Sequence, residues 1–367
     1  MAQQPYRDAL KRAKRIVVKA GSKVLVQQSG RPDSRRIGLL VDELALLQKR
    51  GCETAFVSSG AIGAGMDALG MTKRPKSMPD LQMAAAVGQM RLMGVYDRLF
   101  AKRHCQIGQV LLTHDALQHR ERHLNARNTL LNLIAHNITP IINENDAIST
   151  QEINFGDNDV LAALVSILID ADALVLLSTT NGLRNGRRRV PYIEEVDTGV
   201  LNLVSDTLNP LSTGGMASKL QAAQIAAHNG IPVIIAHGRK TGALTRIFEG
   251  KDEGTLLFPK ASNISKRKRW IAFFNKAEGH LVIDDGAAQA LTQGKSLLPV
   301  GIIKTEGSFH IGAMLDIQTK DGTLIARGLV EFSSIDLLDP TFAPPRSAVV
   351  IHRNNMLLLS EQHKPVY

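Results

Sequence analysis

Two spacings of apolar residues alternate along the first two thirds of the chain. Short uninterrupted apolar runs at 15–19, 54–57, 107–112, 138–142, 173–177 and 232–236 predict buried strands. Between them, apolar residues recur every three or four positions. Ile37, Leu40, Val41, Leu44 and Leu47 predict a helix over 34–50, with Gly51 as its stop. The same spacing predicts helices from Asp80, read as the cap, to about 103, and over 117–136, 160–169 and 216–229. Strands alternating with helices imply an α/β fold, a mostly parallel sheet sandwiched by helices. The alternation ends near Phe258, giving a first domain over 1–258. Residues 259–268 are polar and basic and read as a linker. Beyond it, strand-like runs at 270–274, 280–283, 301–304, 314–318, 323–332 and 348–352 surround one helical piece at 286–291. They predict a small, mainly β second domain over 269–360.

One segment does not fit a plain connection. Residues 143–159, Asn-Glu-Asn-Asp-Ala-Ile-Ser-Thr-Gln-Glu-Ile-Asn-Phe-Gly-Asp-Asn-Asp, crowd carboxylates and amides between a strand and a helix. Polar groups held between core elements need partners, which makes this segment a candidate binding site.

Composition adds little that is unusual. Of 367 residues, 44% are hydrophobic and 21% charged, as in an ordinary globular protein with a sizeable core. No apolar run approaches the roughly 18–20 residues that span a bilayer, and residues 1–15 lack the apolar centre of a secretory signal. A cytoplasmic protein is expected. Cys52 and Cys105 stand in apolar surroundings and read as buried free thiols. The net charge of +10 is spread along the chain, which suits attraction of small anions such as nucleotides. A dedicated nucleic-acid surface would concentrate it.

Glycine-rich loops recur where strands end. Ser58-Ser-Gly-Ala-Ile-Gly-Ala-Gly65 brings Gly60, Gly63 and Gly65 between a strand and a helix, either to approach an anion or to make a tight, closely packed turn. Ser212-Thr-Gly-Gly-Met-Ala-Ser-Lys219 opens another helix and carries a lysine one turn in. Lys19 leaves the first strand at the same kind of sheet edge, where open α/β folds bind ligands. Other patterns carry less. Gly294-Lys-Ser296 ends like a phosphate-binding loop, but Gln289 stands where its first glycine belongs. His119 and His123, with His114 nearby, lack the His-Glu-x-x-His order of a zinc site, and no Gly-x-Ser-x-Gly elbow is present. Two lysines, glycine loops and an acidic–amide stretch suit phosphoryl transfer, which depends on positioning and on cations around the moving group. A carboxylate acceptor would need no general base, because it is already ionised near neutral pH.

These motifs resemble the glutamate 5-kinase family in its form with a C-terminal pseudouridine-synthase-and-archaeosine-transglycosylase (PUA) domain. The resemblance is carried by Val-Val-Lys19-Ala-Gly-Ser, residues 58–65, Ala85-Ala-Val-Gly-Gln89, Arg120-Glu-Arg-His-Leu-Asn-Ala-Arg127, Ile142-Asn-Glu-Asn-Asp146, Gly156-Asp-Asn-Asp159, Thr213-Gly-Gly-Met-Ala-Ser-Lys219, Lys268-Arg-Trp270 and Ser296-Leu-Leu-Pro299. It implies an amino-acid kinase fold and ATP- and Mg²⁺-dependent phosphorylation of the side-chain carboxylate of L-glutamate, with the Mg²⁺ arriving on ATP. It further implies that Ser59, Asp146 and Asn158 hold glutamate, Asp146 at the ammonium. Lys19 and Lys219 would neutralise the phosphoryl group, with Asp159 orienting both. Thr213, Gly214, Gly215, Met216, Ala217, Ser218 and Lys219 would line the ATP phosphates, and Ser178 and Thr179 would lie at the nucleotide. Proline as a feedback inhibitor and a homodimer or homotetramer are implied too.

The chain departs from the family at Ser178-Thr179, where the usual pair is Thr-Asp, and after Gly182, where Leu-Arg-Asn-Gly-Arg-Arg-Arg replaces Tyr-Thr-x-Asp-Pro. The second departure reads as a shortened surface loop. An acetylglutamate, carbamate or uridylate kinase is the alternative within the class. An RNA-binding protein acting through the PUA domain is the alternative outside it, and thirteen Lys/Arg against ten Asp/Glu after residue 258 do not favour it.

Overall fold

A computed structural model describes residues 3–113, 117, 120–148, 157–205, 215–260, 277–339, 341 and 348–359. The chain divides into two compact units, Met1–Ala261 and Ser262–Tyr367. Most of the expected linker falls outside the described residues, as does the expected strand at 270–274.

The first unit is built on an eight-stranded sheet. Its strands are β1 (Arg15–Ala20), β2 (Glu53–Ser58), β3 (Gln106–Leu112), β4 (Ile138–Glu144), β5 (Ala173–Ser178), β8 (Tyr192–Ile193), β9 (Val233–His237) and β10 (Thr255–Leu257), in the order β3-β4-β2-β1-β5-β9-β10-β8. β6 (Arg184–Asn185) and β7 (Arg188–Arg189) form a separate hairpin. From β3 to β9 all pairings are parallel, and β10 runs antiparallel to β9. β1 and β5 are each buried at all positions but one because both of their faces are covered.

The helices are α1 (Gln4–Leu10), α2 (Ser22–Leu25), α3 (Ser34–Lys49), α4 (Ala61–Ala68), α5 (Met78–Ala101), α6 (Arg120–Ala135), α7 (Asp157–Leu168), α8 (Thr198–Ser205), α9 (Met216–His228) and α10 (Ala243–Phe248). Two boundaries differ from those expected. Ser77, not Asp80, caps α5: its Oγ accepts from the Asp80 N–H at 3.3 Å, and Pro79 occupies the first turn, where a missing N–H does no harm. α7 begins at Asp157, so Asn158 and Asp159 lie in its first turn rather than in a loop.

α1 went unread in the sequence, and it explains a buried arginine. Arg7, 1% exposed, donates to the carbonyls of Lys251, Glu253 and Pro191 and pairs with Asp252 at 2.8 Å. Cys52 and Cys105 are free and half-buried, less enclosed than expected.

The second unit holds a mixed five-stranded sheet, β12-β11-β13-β14-β15, from β11 (Gly279–Ile283), β12 (Ile302–Gly307), β13 (Met314–Thr319), β14 (Leu324–Leu329) and β15 (Met356–Leu358). α11 (Asp285–Thr292) and α12 (Ser334–Leu338) accompany it, the latter opened by a Ser333–Asp336 capping box. The strand expected at 348–352 reduces to a single bridge, Ile351 to Leu297, and the ladder is completed instead by β15, which the sequence did not mark. Arg327 and Asp316 pair across β13 and β14 at 2.7 Å. No helix among the described residues is long and apolar enough to cross a membrane.

Candidate active site

Parallel strands deliver their C-terminal ends to one edge, and a cleft of about 940 Å³ opens there. Register puts Lys19 of β1 beside Val57 of β2 and Leu176 of β5. Lys19 donates to Asp159 Oδ1 at 2.6 Å, and Lys219, from the first turn of α9, donates to Asp159 Oδ2 at 2.9 Å. The three side chains are 3%, 6% and 0% exposed for Lys19, Lys219 and Asp159. Ser218 also donates to Asp159 Oδ2, at 3.1 Å. Burial alone would push the Asp159 carboxyl up, but the two ammonium groups together hold it below its ordinary value. For Lys19, burial is the larger influence and pulls the ammonium below its ordinary range, against the attraction of Asp159. Two cations against one anion leave this triad with a net positive charge in a low-dielectric place, which an anion in the cleft would relieve.

A different arrangement occupies the other side. Asn158 donates to Ser59 Oγ at 3.2 Å and to Asn143 Oδ1 at 3.0 Å, while Asn143 donates to Gln89 Oε1 at 2.9 Å. The Glu144 backbone N–H donates to the oxygens of both Asn143 and Asn158. Asp146 lines the cleft with Arg74; burial pulls the Arg74 guanidinium below its ordinary value, and Asp146 opposes that. Next to Ser59, Ser58 Oγ is 2.7 Å from the hydroxyl of the fully buried Tyr96, whose phenol burial pushes up.

The glycines at 58–65 serve a tight turn and close packing. Gly60 sits before α4 at φ +108°, a conformation that suits glycine. Gly65 instead lets helices touch, since a Cβ there would lie 1.7 Å from the Ala84 carbonyl oxygen of α5. Gly63 faces Gly30.

Ser59, Asp146, Asn158, Asp159, Lys19, Ser178, Thr179, Gly215, Met216 and Lys219 all line the cleft. Ala217 is exposed on the first turn of α9, and Thr213 and Gly214 lie outside the described residues. Of the arginine-rich segment, Arg184 reaches the cleft, Arg187 and Arg188 are exposed, and Arg189 pairs with Asp252 at 2.6 Å. It is a surface hairpin, as expected, with one cleft-facing member. Arg74 was not singled out in the sequence, and Gln89 and Asn143 stood in the motifs of the resemblance without a role. Arg74 is an isolated arginine in a loop, and the others meet only through tertiary structure. His123 is buried and its imidazole is held down to about 4 by that burial, so it is neutral near pH 7; His114 and His119 lie outside the described residues.

The sequence model of the amino acid kinase family matches residues 14–237, which contain the sheet through β9 and every cleft residue named above. The chain belongs to the amino acid kinase family. This amino acid kinase also carries a PUA domain, matched over residues 279–341. It is 42% identical to the glutamate 5-kinase of Chromohalobacter salexigens, over 98% of this chain and 99% of that protein. It is 41% identical to the glutamate 5-kinase of Paraburkholderia phytofirmans, over 96% of this chain and 100% of that one. Among solved structures, the carbamate kinase from Giardia lamblia bound to AMP-PNP shares the fold at a TM-score of 0.50 and 17% identity, covering 68% of this chain and 100% of its own.

Proposed function

We propose that this chain transfers the γ-phosphoryl group of ATP to the side-chain carboxylate of L-glutamate, giving γ-glutamyl phosphate and ADP, the entry reaction of proline biosynthesis. The observation that carries this reading is the buried Lys19–Asp159–Lys219 triad, with its net positive charge at the cleft. Full-length similarity to proteins named glutamate 5-kinase selects the acceptor.

In this reading the glutamate side-chain oxygen attacks the γ-phosphorus, and the bond from that phosphorus to the β,γ-bridging oxygen breaks. The acceptor, whose ordinary pKa is about 4.3, is ionised near neutral pH, so no side chain has to take a proton. Lys19 and Lys219 stabilise the charge on the transferring group, and Asp159 fixes both ammonium groups at the point where that charge develops. Ser59 and Asn158 hold the amino acid, and Asp146 receives its ammonium. Gly215 to Lys219, at the positive end of α9, receive the phosphates, and Thr213 and Gly214 are assigned the same role. Ser178 and Thr179 lie at the nucleoside.

The donor set suits Mg²⁺ that is bound by ATP. Both Asp159 oxygens are engaged by lysines, and among the described residues no cluster of metal-binding side chains stands at the cleft. The ion would offset triphosphate charge, and no residue of the chain is assigned to it. Proline, an amino acid of similar size, would compete at the Ser59–Asp146–Asn158 end, and the protein would assemble as a homodimer or homotetramer.

The test is incubation with ATP, Mg²⁺ and L-glutamate in hydroxylamine, with γ-glutamyl hydroxamate as the expected product. No hydroxamate from glutamate, together with turnover of acetylglutamate, carbamate or a nucleoside monophosphate, overturns the reading.

A further inference from the structure

We infer that Gln89 and Asn143, neither of which lines the cleft, are positioning residues. They set the hydrogen-bond polarity of the amino-acid end, so that it selects a side-chain carboxylate over a carboxamide. The inference rests on the proposal that this end holds glutamate.

The polarity has a fixed reference. A backbone N–H can only donate, and that of Glu144 reaches Asn143 Oδ1 at 3.0 Å and Asn158 Oδ1 at 3.3 Å. Both carboxamide oxygens therefore turn toward Glu144, and both amino groups turn away. The Asn143 amino group then meets Gln89 Oε1 at 2.9 Å, between side chains only 1% and 9% exposed. With Asn143 locked in that sense, its oxygen accepts from Asn158 at 3.0 Å, and the second Asn158 proton goes to Ser59 Oγ at 3.2 Å. Ser59 is thus an acceptor on its inner side, and its own proton is left to point into the cleft that it lines. A carboxylate offers that proton an acceptor whichever way it is turned. A carboxamide does so in one orientation of two.

Taking away the Gln89 acceptor leaves the Asn143 amino group buried and unpaired, and its carboxamide can escape that cost only by shifting away from the Glu144 and Asn158 donors that its oxygen serves. Asn158 then loses one of its three contacts, keeping the longer one from the Glu144 N–H at 3.3 Å and the one to Ser59, so its orientation is held less firmly. Ser59 can direct its proton back to Asn158 and accept from a ligand amino group. Gln89 and Asn143 thereby act on selectivity through Asn158 and Ser59, without touching substrate themselves.

The experiment measures calorimetric affinities for L-glutamate and L-glutamine, KM for ATP and thermal stability in the full chain, its Gln89→Met and Ser59→Ala variants and the double variant. The expected result for Gln89→Met is a glutamate Kd raised about 5- to 10-fold, with glutamine affinity unchanged. The ATP KM should stay within about twofold. The double variant should lose no more than the larger single one, because the two residues act in one chain. A purely structural Gln89 would weaken both amino acids alike. An unchanged glutamate-to-glutamine ratio, or single-variant factors that multiply in the double, overturns the inference. Ser59→Ala keeps the test decisive where Gln89→Met does not fold, since an unchanged ratio in that variant is equally fatal. A wild-type chain that neither binds nor phosphorylates L-glutamate removes the site assignment and the inference with it.

Discussion

The two ends of the cleft solve the problem of buried polarity in opposite ways. One end packs three full charges into contact, Lys19, Asp159 and Lys219, at separations of 2.6 and 2.9 Å. The other is a run of neutral amides and a hydroxyl, Gln89, Asn143, Asn158 and Ser59, at 2.9 to 3.2 Å. Charges in a poorly solvated place interact strongly and at a distance, which suits a group whose charge changes during reaction. Amides act only in contact and only with the right polarity, which suits recognition of a fixed shape. The difference teaches where damage will be felt: in turnover and stability at the first end, in affinity and selectivity at the second.

The largest expected effect comes from breaking the charged end at its centre. Asp159→Asn leaves two buried ammonium groups facing an uncharged side chain, and denaturant unfolding should show a loss of about 3–5 kcal/mol. An unfolding midpoint equal to wild type would mean that the triad is not buried as described. Next in size, Lys219→Ala should lower kcat by about 10²–10³-fold while glutamate KM stays near its original value. A change confined to glutamate KM would move Lys219 to the other end of the cleft.

Asp146→Asn keeps the shape but removes the charge offered to an ammonium group. Glutamate KM should rise by about 10-fold or more, with kcat less affected. Steady-state kinetics at saturating ATP separates the two.

Titration sharpens the same contrast. Lys19 has a folded-state pKa below 10.5, so it loses its proton earlier than an ordinary lysine, and the alkaline fall in kcat should begin below that value. Between the folded pKa and 10.5 the unfolded chain binds more protons, so this group's contribution to stability rises with pH. Asp159 is depressed below 3.8, so its contribution is present above 3.8 and is lost as pH falls through the folded pKa. An alkaline limb that tracks 10.5 would show Lys19 to be better solvated than its 3% exposure implies. The smallest effect is expected at the rim, where Arg184→Ala should change the ATP KM by about threefold or less.

How much of this the sequence carried depends on the range of the interaction. The strands of the parallel sheet were legible because burial on both faces writes itself as an apolar run, as in residues 173–177. The residues of the triad were legible by resemblance, but not that Ser218 shares the Asp159 oxygen with Lys219. Asp80 was mistaken for a cap because the serine three residues earlier competes for the same role and wins. Gly65 was left between two readings, since a glycine needed for helix contact looks the same in sequence as one needed for an anion, and its packing on Ala84 decides for contact. Gln89 and Asn143 meet across 54 positions, and no local pattern records which atom of an amide faces which neighbour. β15 was missed because three residues, Met356–Leu358, are too short to show any period.

Arg7 has a consequence for the timing of folding. Its side chain is satisfied by carbonyls at Lys251, Glu253 and Pro191, so the contacts that seal α1 span up to 246 positions. During synthesis at about 5–20 residues per second, those acceptors emerge long after the arginine does. For that interval the guanidinium must remain hydrated, and α1 has nothing to dock on. Closure of the first unit is therefore a late event made by its earliest residues, and α1 acts as a latch that engages only when the strand Thr255–Leu257 is nearly in hand.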